Sequence, residues 1–197
     1  MVNLITRFYE IDSGSIKIDG IDIKNYCRDS YRDAFSVVLQ DSYLFNETII
    51  ENIRYGNLEA SDDDIIDACK KVGAHNFIIK LKDGYNTVIS ESGGELSQGQ
   101  KQLLTIARSI LKNPGILILD EATSSVDTKT ELKIQETMLD IMKGRTSFII
   151  AHRLSTIRNC DNIIVIQDGK ISEIGSHEEL MKLKGYYYNN VNILNNK

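Results

Sequence analysis

Apolar residues recur along this chain with two periods, and the clearest change from one to the other lies between residues 97 and 121. Leu103, Ile106, Ala107, Ile110 and Leu111 fall on one helical face. Ahead of them, Ser97-x-x-Gln100 has the form of a capping box, in which the serine caps the helix and the glutamine reaches back. Behind them, Asn113-Pro114-Gly115 stops the helix, because proline cannot continue it and glycine tolerates the turn. Residues 116–119 then run apolar without a break into Asp120-Glu121, the pattern of a strand buried on both faces of a parallel sheet. Two similar short runs, 35–39 and 147–151, end at Gln40 and deliver His152.

Helical spacing also marks 2–9 (Val2, Ile5, Phe8, Tyr9), 49–54, 62–72 (Ile65, Ile66, Cys69, Val72), 76–81, and 129–142 (Leu132, Gln135, Met138, Leu139, Met142). The acidic first turn of 62–72 suits a helix N-terminus. A strand over 15–18 lies between the turns Asp12-Ser13-Gly14 and Asp19-Gly20. Strands 162–167 and 170–174 flank Asp168-Gly169, a hairpin dipeptide. His177 and Glu178-Glu179 open a short helix. The tail 185–197 is asparagine-rich and expected to fray. Its Tyr186, Tyr187 and Tyr188 read as a packing patch, since no basic groove accompanies them to make a base-stacking platform.

Composition narrows the class. With 197 residues, 42% of them hydrophobic and 26% charged, the chain reads as one ordinary soluble globular domain. A net charge of −5 leaves no nucleic-acid footprint. Cys27, Cys69 and Cys160 are odd in number and lack C-x-x-C spacing, which points to reduced thiols. No apolar run approaches the roughly 18 residues that span a bilayer. The first ten residues lack the apolar core and cleavage site of a signal peptide.

Chemistry in parallel sheets gathers at the carboxyl ends of the strands, where Asp120 and Glu121 fall. Such a pair suits a hydrated magnesium ion, and a helix start such as that at Ser97 attracts anions. Phosphate chemistry follows. Taken singly, Gln40 would be surface polarity and His152 structural; three apolar runs ending in Gln40, Asp120-Glu121 and His152 argue for convergence on one site.

At these residues a resemblance emerges. LSQGQ (Leu96 to Gln100) resembles the signature motif of ABC-family ATPases, with Gln98 where glycine is usual, and ILILDEATSSVD (Ile116 to Asp127) resembles their Walker B and D-loop segments. Gln40 looks like the family's Q-loop glutamine and His152 like its switch histidine. Residues 87–93 are similar to the loop that exporters carry before the signature, with Ser90 where glycine is common and Glu91 where exporters meet their transmembrane domains. Residues 41–56 resemble the region that packs on transmembrane coupling helices; read alone, Tyr43, Leu44 and Phe45 form a local core patch.

The resemblance covers residue 1 to about 183 and implies an α/β, P-loop NTPase-like ABC ATPase fold. That fold has a mostly parallel sheet with helices on both faces and a helical subdomain over about 41–112 carrying the signature, followed here by a polar tail from 184 to 197. No G-x-x-x-x-G-K-[ST] phosphate loop occurs in the sequence. In the family that loop precedes a helix like 2–9, so the loop, the first strand and the adenine-stacking aromatic are expected before Met1. Their loss would expose sheet edge or core surface.

By the same resemblance the cofactors are ATP and Mg2+. Asp120 and Gln40 attend the metal. Glu121 polarises the attacking water and His152 contacts the terminal phosphate, with Gln40 as the third catalytic group. Ser97, Gly99, Gln100 and Asp127 meet ATP across a head-to-tail dimer. The implied partners are a second ABC ATPase domain and the transmembrane domains of an exporter, met through 40–56 and the Glu91 region. The implied place is the cytoplasmic face of the cell membrane, and nucleic acid is not a partner. Without a phosphate loop, the chain alone is expected to bind ATP weakly and hydrolyse it negligibly. Two alternatives stand beside this reading. One is a non-catalytic partner lending its signature to another subunit's ATP. The other is a soluble ABC ATPase, against which only 57 positions separate Gln40 from Ser97, leaving no room for a long coiled-coil insertion.

Overall fold

The computed structural model describes residues 1–39, 43–90, 96–120, 128–150 and 154–195. It forms two compact units, Met1–Phe148 and Ile149–Lys197.

The first unit opens with α1 (Val2–Ile5), shorter than the spacing over 2–9 predicts. Arg7 takes a positive φ of 55° and breaks the helix, leaving Phe8 and Tyr9 exposed. Strands β1 (Lys17–Ile18) and β2 (Ile21–Asp22) pair antiparallel around Asp19-Gly20, both at positive φ. Helix α2 (Arg28–Asp33) leads into β3 (Phe35–Val38). The Tyr31 hydroxyl donates to Ile5 O at 2.5 Å and Arg32 Nη2 to Arg7 O at 2.8 Å, tying the α1 turn to α2.

Helices α3 (Ile49–Arg54), α4 (Asp62–Val72) and α5 (His75–Ile78) follow, then α6 (Gln98–Lys112). Ser61 and Asp64 cap α4 reciprocally, and Gly73 closes it in the left-handed conformation. α6 ends on Asn113, itself left-handed at φ 50°, before the turn into β4 (Ile116–Asp120). Helix α7 (Thr128–Met142) and β5 (Thr146–Ile150) complete the order β3-β4-β5, with the division between the units falling inside β5.

β3 and β4 pair parallel, Phe35 opposite Ile116 through Val38 opposite Leu119. Side chains of successive strand residues point to opposite faces, and both faces are covered. Phe35 and Ile118 pack with Tyr31, Ile23, Val2 and Ile5 on one side. On the other, the Ser36 hydroxyl meets the Ser109 hydroxyl of α6 at 2.6 Å. Leu117 and Ile118 are fully buried, each worth about 1.5–3 kcal/mol of transfer free energy.

Three predicted faces shift. In α6, Gln102, Leu103, Leu104, Ile106, Ala107 and Ser109 are buried, whereas Ile110 and Leu111 are half-buried. The helix is packed by α3, α4, α7 and β3 together, so no single stripe describes it. In α7 the buried face is Ile134, Thr137, Met138 and Ile141; Leu132 and Leu139 are exposed. β5 is half-buried, not sealed on both faces.

The second unit holds α8 (Leu154–Ile157), the hairpin β6 (Ile163–Gln167) and β7 (Lys170–Gly175), and helices α9 (His177–Leu183) and α10 (Tyr186–Asn195). Ile163 and Val165 of β6 pack with Leu180, Tyr187 and Val191. On the hairpin's other face, Ile164 and Ile174 pair across the strands, as do Ile166 and Ile171; their exposures are 44, 61, 47 and 60%. The tail expected to fray carries α10 instead. Glu173 caps it from β7, its carboxylate accepting from Tyr186 N and Tyr187 N at 2.5 and 3.1 Å.

Candidate functional site

The start of α6 is built as its sequence predicts. Ser97 Oγ accepts from Gln100 N at 3.2 Å, and Gln100 Oε1 accepts from Ser97 N at 2.8 Å. Lys101 N donates to Ser97 O at 3.0 Å. The first N–H groups of any helix lack intrahelical acceptors. Here those of Gln98 and Gly99 have no partner among the described residues. Ser97 is exposed, Gly99 buried, and Gln98 half-buried. The Ser97 oxygen acts only as an acceptor within the box, so its hydroxyl proton is available to a ligand. Two N–H groups, a hydroxyl and the positive end of a 15-residue helix suit a phosphate.

Asp120 ends β4 above the buried Leu119, itself half-buried. It has no ion-pair or hydrogen-bonding partner among the described residues, which suits a carboxylate serving a hydrated divalent cation. No group of three His, Cys, Asp or Glu side chains gathers among those residues. Gln40, Glu91, Glu121, Asp127 and His152 lie outside the described residues. Val38 and Leu119 are in register, β3 ends two residues before Gln40, β4 ends at the residue before Glu121, and β5 ends two residues before His152.

Two residues that sequence reasoning passed over bind α6 to the segment 43–56. Asn52, 1% exposed, accepts from Phe45 N and donates through Nδ2 to Phe45 O, Glu47 O and Thr48 O at 2.8–3.2 Å. Arg108 donates to Asn52 O at 2.7 Å, to Asn52 Oδ1 at 3.1 Å and to Tyr43 O at 3.2 Å. Its guanidinium lies over the rings of Phe45 and Tyr55 at 5.4 and 5.9 Å. Burial pulls its pKa down from the ordinary arginine value, opposed by Tyr55. The available signal was an arginine between the core residues Ala107 and Ser109, with three aromatics at 43, 45 and 55.

A sheet in the order β3-β4-β5, its β3 and β4 parallel and covered by helices on both faces, and its middle strand ending in a carboxylate, makes this an α/β domain. The ABC transporter family profile matches residues 1–124, and the chain belongs to that family as an ATP-binding domain. It is 54% identical over 187 residues to the uncharacterized ABC transporter ATP-binding protein YfiC of Bacillus subtilis, covering 95% of this chain and 31% of that protein. It is 54% identical over 188 residues to a fatty acid ABC transporter ATP-binding/permease protein of Mycobacterium tuberculosis, covering 95% and 30%. An ATP-dependent lipid A-core flippase of Syntrophus aciditrophicus is 50% identical over 188 residues, 95% of this chain and 31% of that protein. Among solved structures, a bacterial Atm1-family ABC exporter with ATP bound superposes with a TM-score of 0.91 at 44% identity, over 98% of this chain and 34% of that one. The chain thus spans about a third of the length of these relatives. No helix among the described residues is long and apolar enough to cross a membrane.

Proposed function

We propose that this chain is the ATP-binding domain of an exporter-type ABC transporter, coupling ATP hydrolysis to movement of a substrate across a membrane. The observation that carries this reading is the signature helix, capped by Ser97 and Gln100 with the Gln98 and Gly99 N–H groups unpaired among the described residues. The superposition on an ATP-bound exporter over 98% of the chain supports it.

The residues divide the work as follows. Ser97 and Gly99 donate to the terminal phosphate of the ATP held by a partner domain, and Gln100 keeps Ser97 in place through the box. Asp120 and Gln40 would hold Mg2+. Glu121 would polarise the attacking water, His152 would contact the terminal phosphate, and Asp127 would contribute across the dimer. Bound Mg-ATP supplies the reactive phosphoanhydride and the charge-neutralising ion; the protein's part is positioning and charge stabilisation. Residues 40–56 and the Glu91 region meet transmembrane domains, which places the domain at the cytoplasmic face of the membrane.

No glycine-rich phosphate loop with its lysine occurs in these 197 residues, and that loop is the main cradle for the β- and γ-phosphates. The chain alone therefore binds Mg-ATP weakly and hydrolyses it negligibly. A second reading rests on the intact Ser97 box: the chain completes the ATP site of another subunit without catalysing itself. Calorimetric titration of the purified chain with Mg-ATP tests both. Heat of binding in the micromolar range overturns the weak-binding claim. Absence of heat, with ATPase activity appearing on addition of an intact ABC domain and lost in Ser97→Ala, supports the shared site.

A further inference from the structure

The signature helix is held at two places, and only one of them is its start. Eleven residues after Ser97, Arg108 reaches the segment 43–56 with three hydrogen bonds and two ring faces. The loop it meets is already closed on itself by Asn52. Backbones approach as closely: a Cβ at Gly56 would overlap the Arg108 carbonyl oxygen. The same segment is bonded to residues 87–89, Ile49 N to Thr87 O and Ile89 N to Glu47 O, both at 3.0 Å. Residues 43–56 and 87–89 therefore form one block fastened to α6 at Arg108. The outer side of that block is open and aromatic, with Tyr43 68% and Tyr55 62% exposed.

We infer that Arg108 is a positioning residue, which carries a displacement of the exposed Tyr43/Tyr55 surface into α6 and so sets where Ser97 and the Gln98 and Gly99 N–H groups stand. This rests on the proposed function, in which that surface meets a membrane partner and the helix start meets the nucleotide. The physical link is the helix itself. Its 15 residues are continuous, and at a rise of ~1.5 Å per residue the start lies about 16 Å from Arg108. A tilt imposed at one end must therefore appear at the other. Arginine suits the joint because its planar fork bonds and stacks at once, whereas lysine is a flexible point charge.

Amide hydrogen exchange on the full chain without nucleotide tests this, with Arg108→Gln compared against Arg54→Gln. Arg54, the last residue of α3, bonds Ala60 O, Glu51 and Asp62 and makes no bond to α6 among the described residues. In Arg108→Gln, exchange should rise about tenfold at Phe45 and Ile49 and also at Gln100 and Lys101, while α4 and the β6–β7 hairpin stay within about twofold. Arg54→Gln should leave Gln100 and Lys101 unchanged. Loosening of 43–56 with Gln100 and Lys101 unmoved overturns the inference, as does a uniform rise across the chain. Should Arg108→Gln fail to fold, Arg108→Lys is read by the same four amides: a joint rise supports the link, and an unmoved α6 start overturns it. Because no nucleotide is present, a failed Mg-ATP titration leaves this result standing, and the converse holds.

Discussion

Cys69 shows how a single side chain can set a pH limit on the fold. It is fully buried on α4, and burial pushes its thiol up to about 11 from an ordinary 9.0, the hydrogen bond from Tyr85 opposing this. Tyr85, raised by its own burial, also bonds His75 Nδ1 at 3.0 Å. Below pH 9 the thiol is protonated in both the folded and unfolded chains. Between 9.0 and about 11 the unfolded chain releases the proton while the folded chain keeps it, so stability falls as pH rises through that window. The loss is on the order of 3 kcal/mol, and urea unfolding at stepped pH should show it, with a shallower decline in Cys69→Ala. What could be read at this scale was what lies close in sequence. The Ser97 box joins residues three apart, so four letters suffice, whereas Arg108 and Asn52 are 56 apart and no local pattern reveals their bond. Gln40, Glu121, Asp127 and His152 lie outside the described residues, and the roles proposed for them are tested by mutagenesis.

Among the elements, the extents of β4 and α6 follow from residue order alone, because an unbroken apolar run and a capped amphipathic repeat leave few other folds for them. The misreadings have physical causes. Periodicity carried α1 on to Tyr9, but Arg7 turns to positive φ and sends its Nη1 to Ile23 O and Tyr26 O instead. α7 presents Ile134 and Ile141, not Leu132 and Leu139, to its neighbours, since a face rich in apolar residues on all sides is chosen by packing. α10 looked like a frayed tail because its cap comes from another element: Glu173 precedes Tyr186 by 13 residues. Gly185 makes room for that cap, as a Cβ there would collide with the Glu173 carboxylate. Gly185→Ala should displace the flexible Glu173 side chain, uncap α10 and cost about 1 kcal/mol. Faster proteolysis after residue 185 and a small loss of helical circular dichroism would register it; an unchanged cleavage rate would count against the cap.

At the scale of the whole molecule, the family was legible because its motifs are contiguous, while the division at 148/149 was not, because it falls inside an apolar run with no change of composition. The exposed isoleucine face of the β6–β7 hairpin is a consequence of neither motif nor period. Four exposed isoleucines in two cross-strand pairs make a contiguous apolar patch, which favours self-association in water. Ile171→Lys should lower light scattering at a given concentration and leave the unfolding midpoint unchanged; equal scattering would show that the patch is not what drives association. Asn52 carries the longest consequence. Asparagines age by losing their amide nitrogen as ammonia, when the next residue's backbone nitrogen attacks the side chain. Ile53 sits inside α3, where the helical backbone holds that nitrogen away from the carbonyl it would attack. An aspartate at 52 would turn bare oxygens toward the carbonyls of Phe45, Glu47 and Thr48 with no proton to offer them. The helix that gives Asn52 its place therefore also slows its clock.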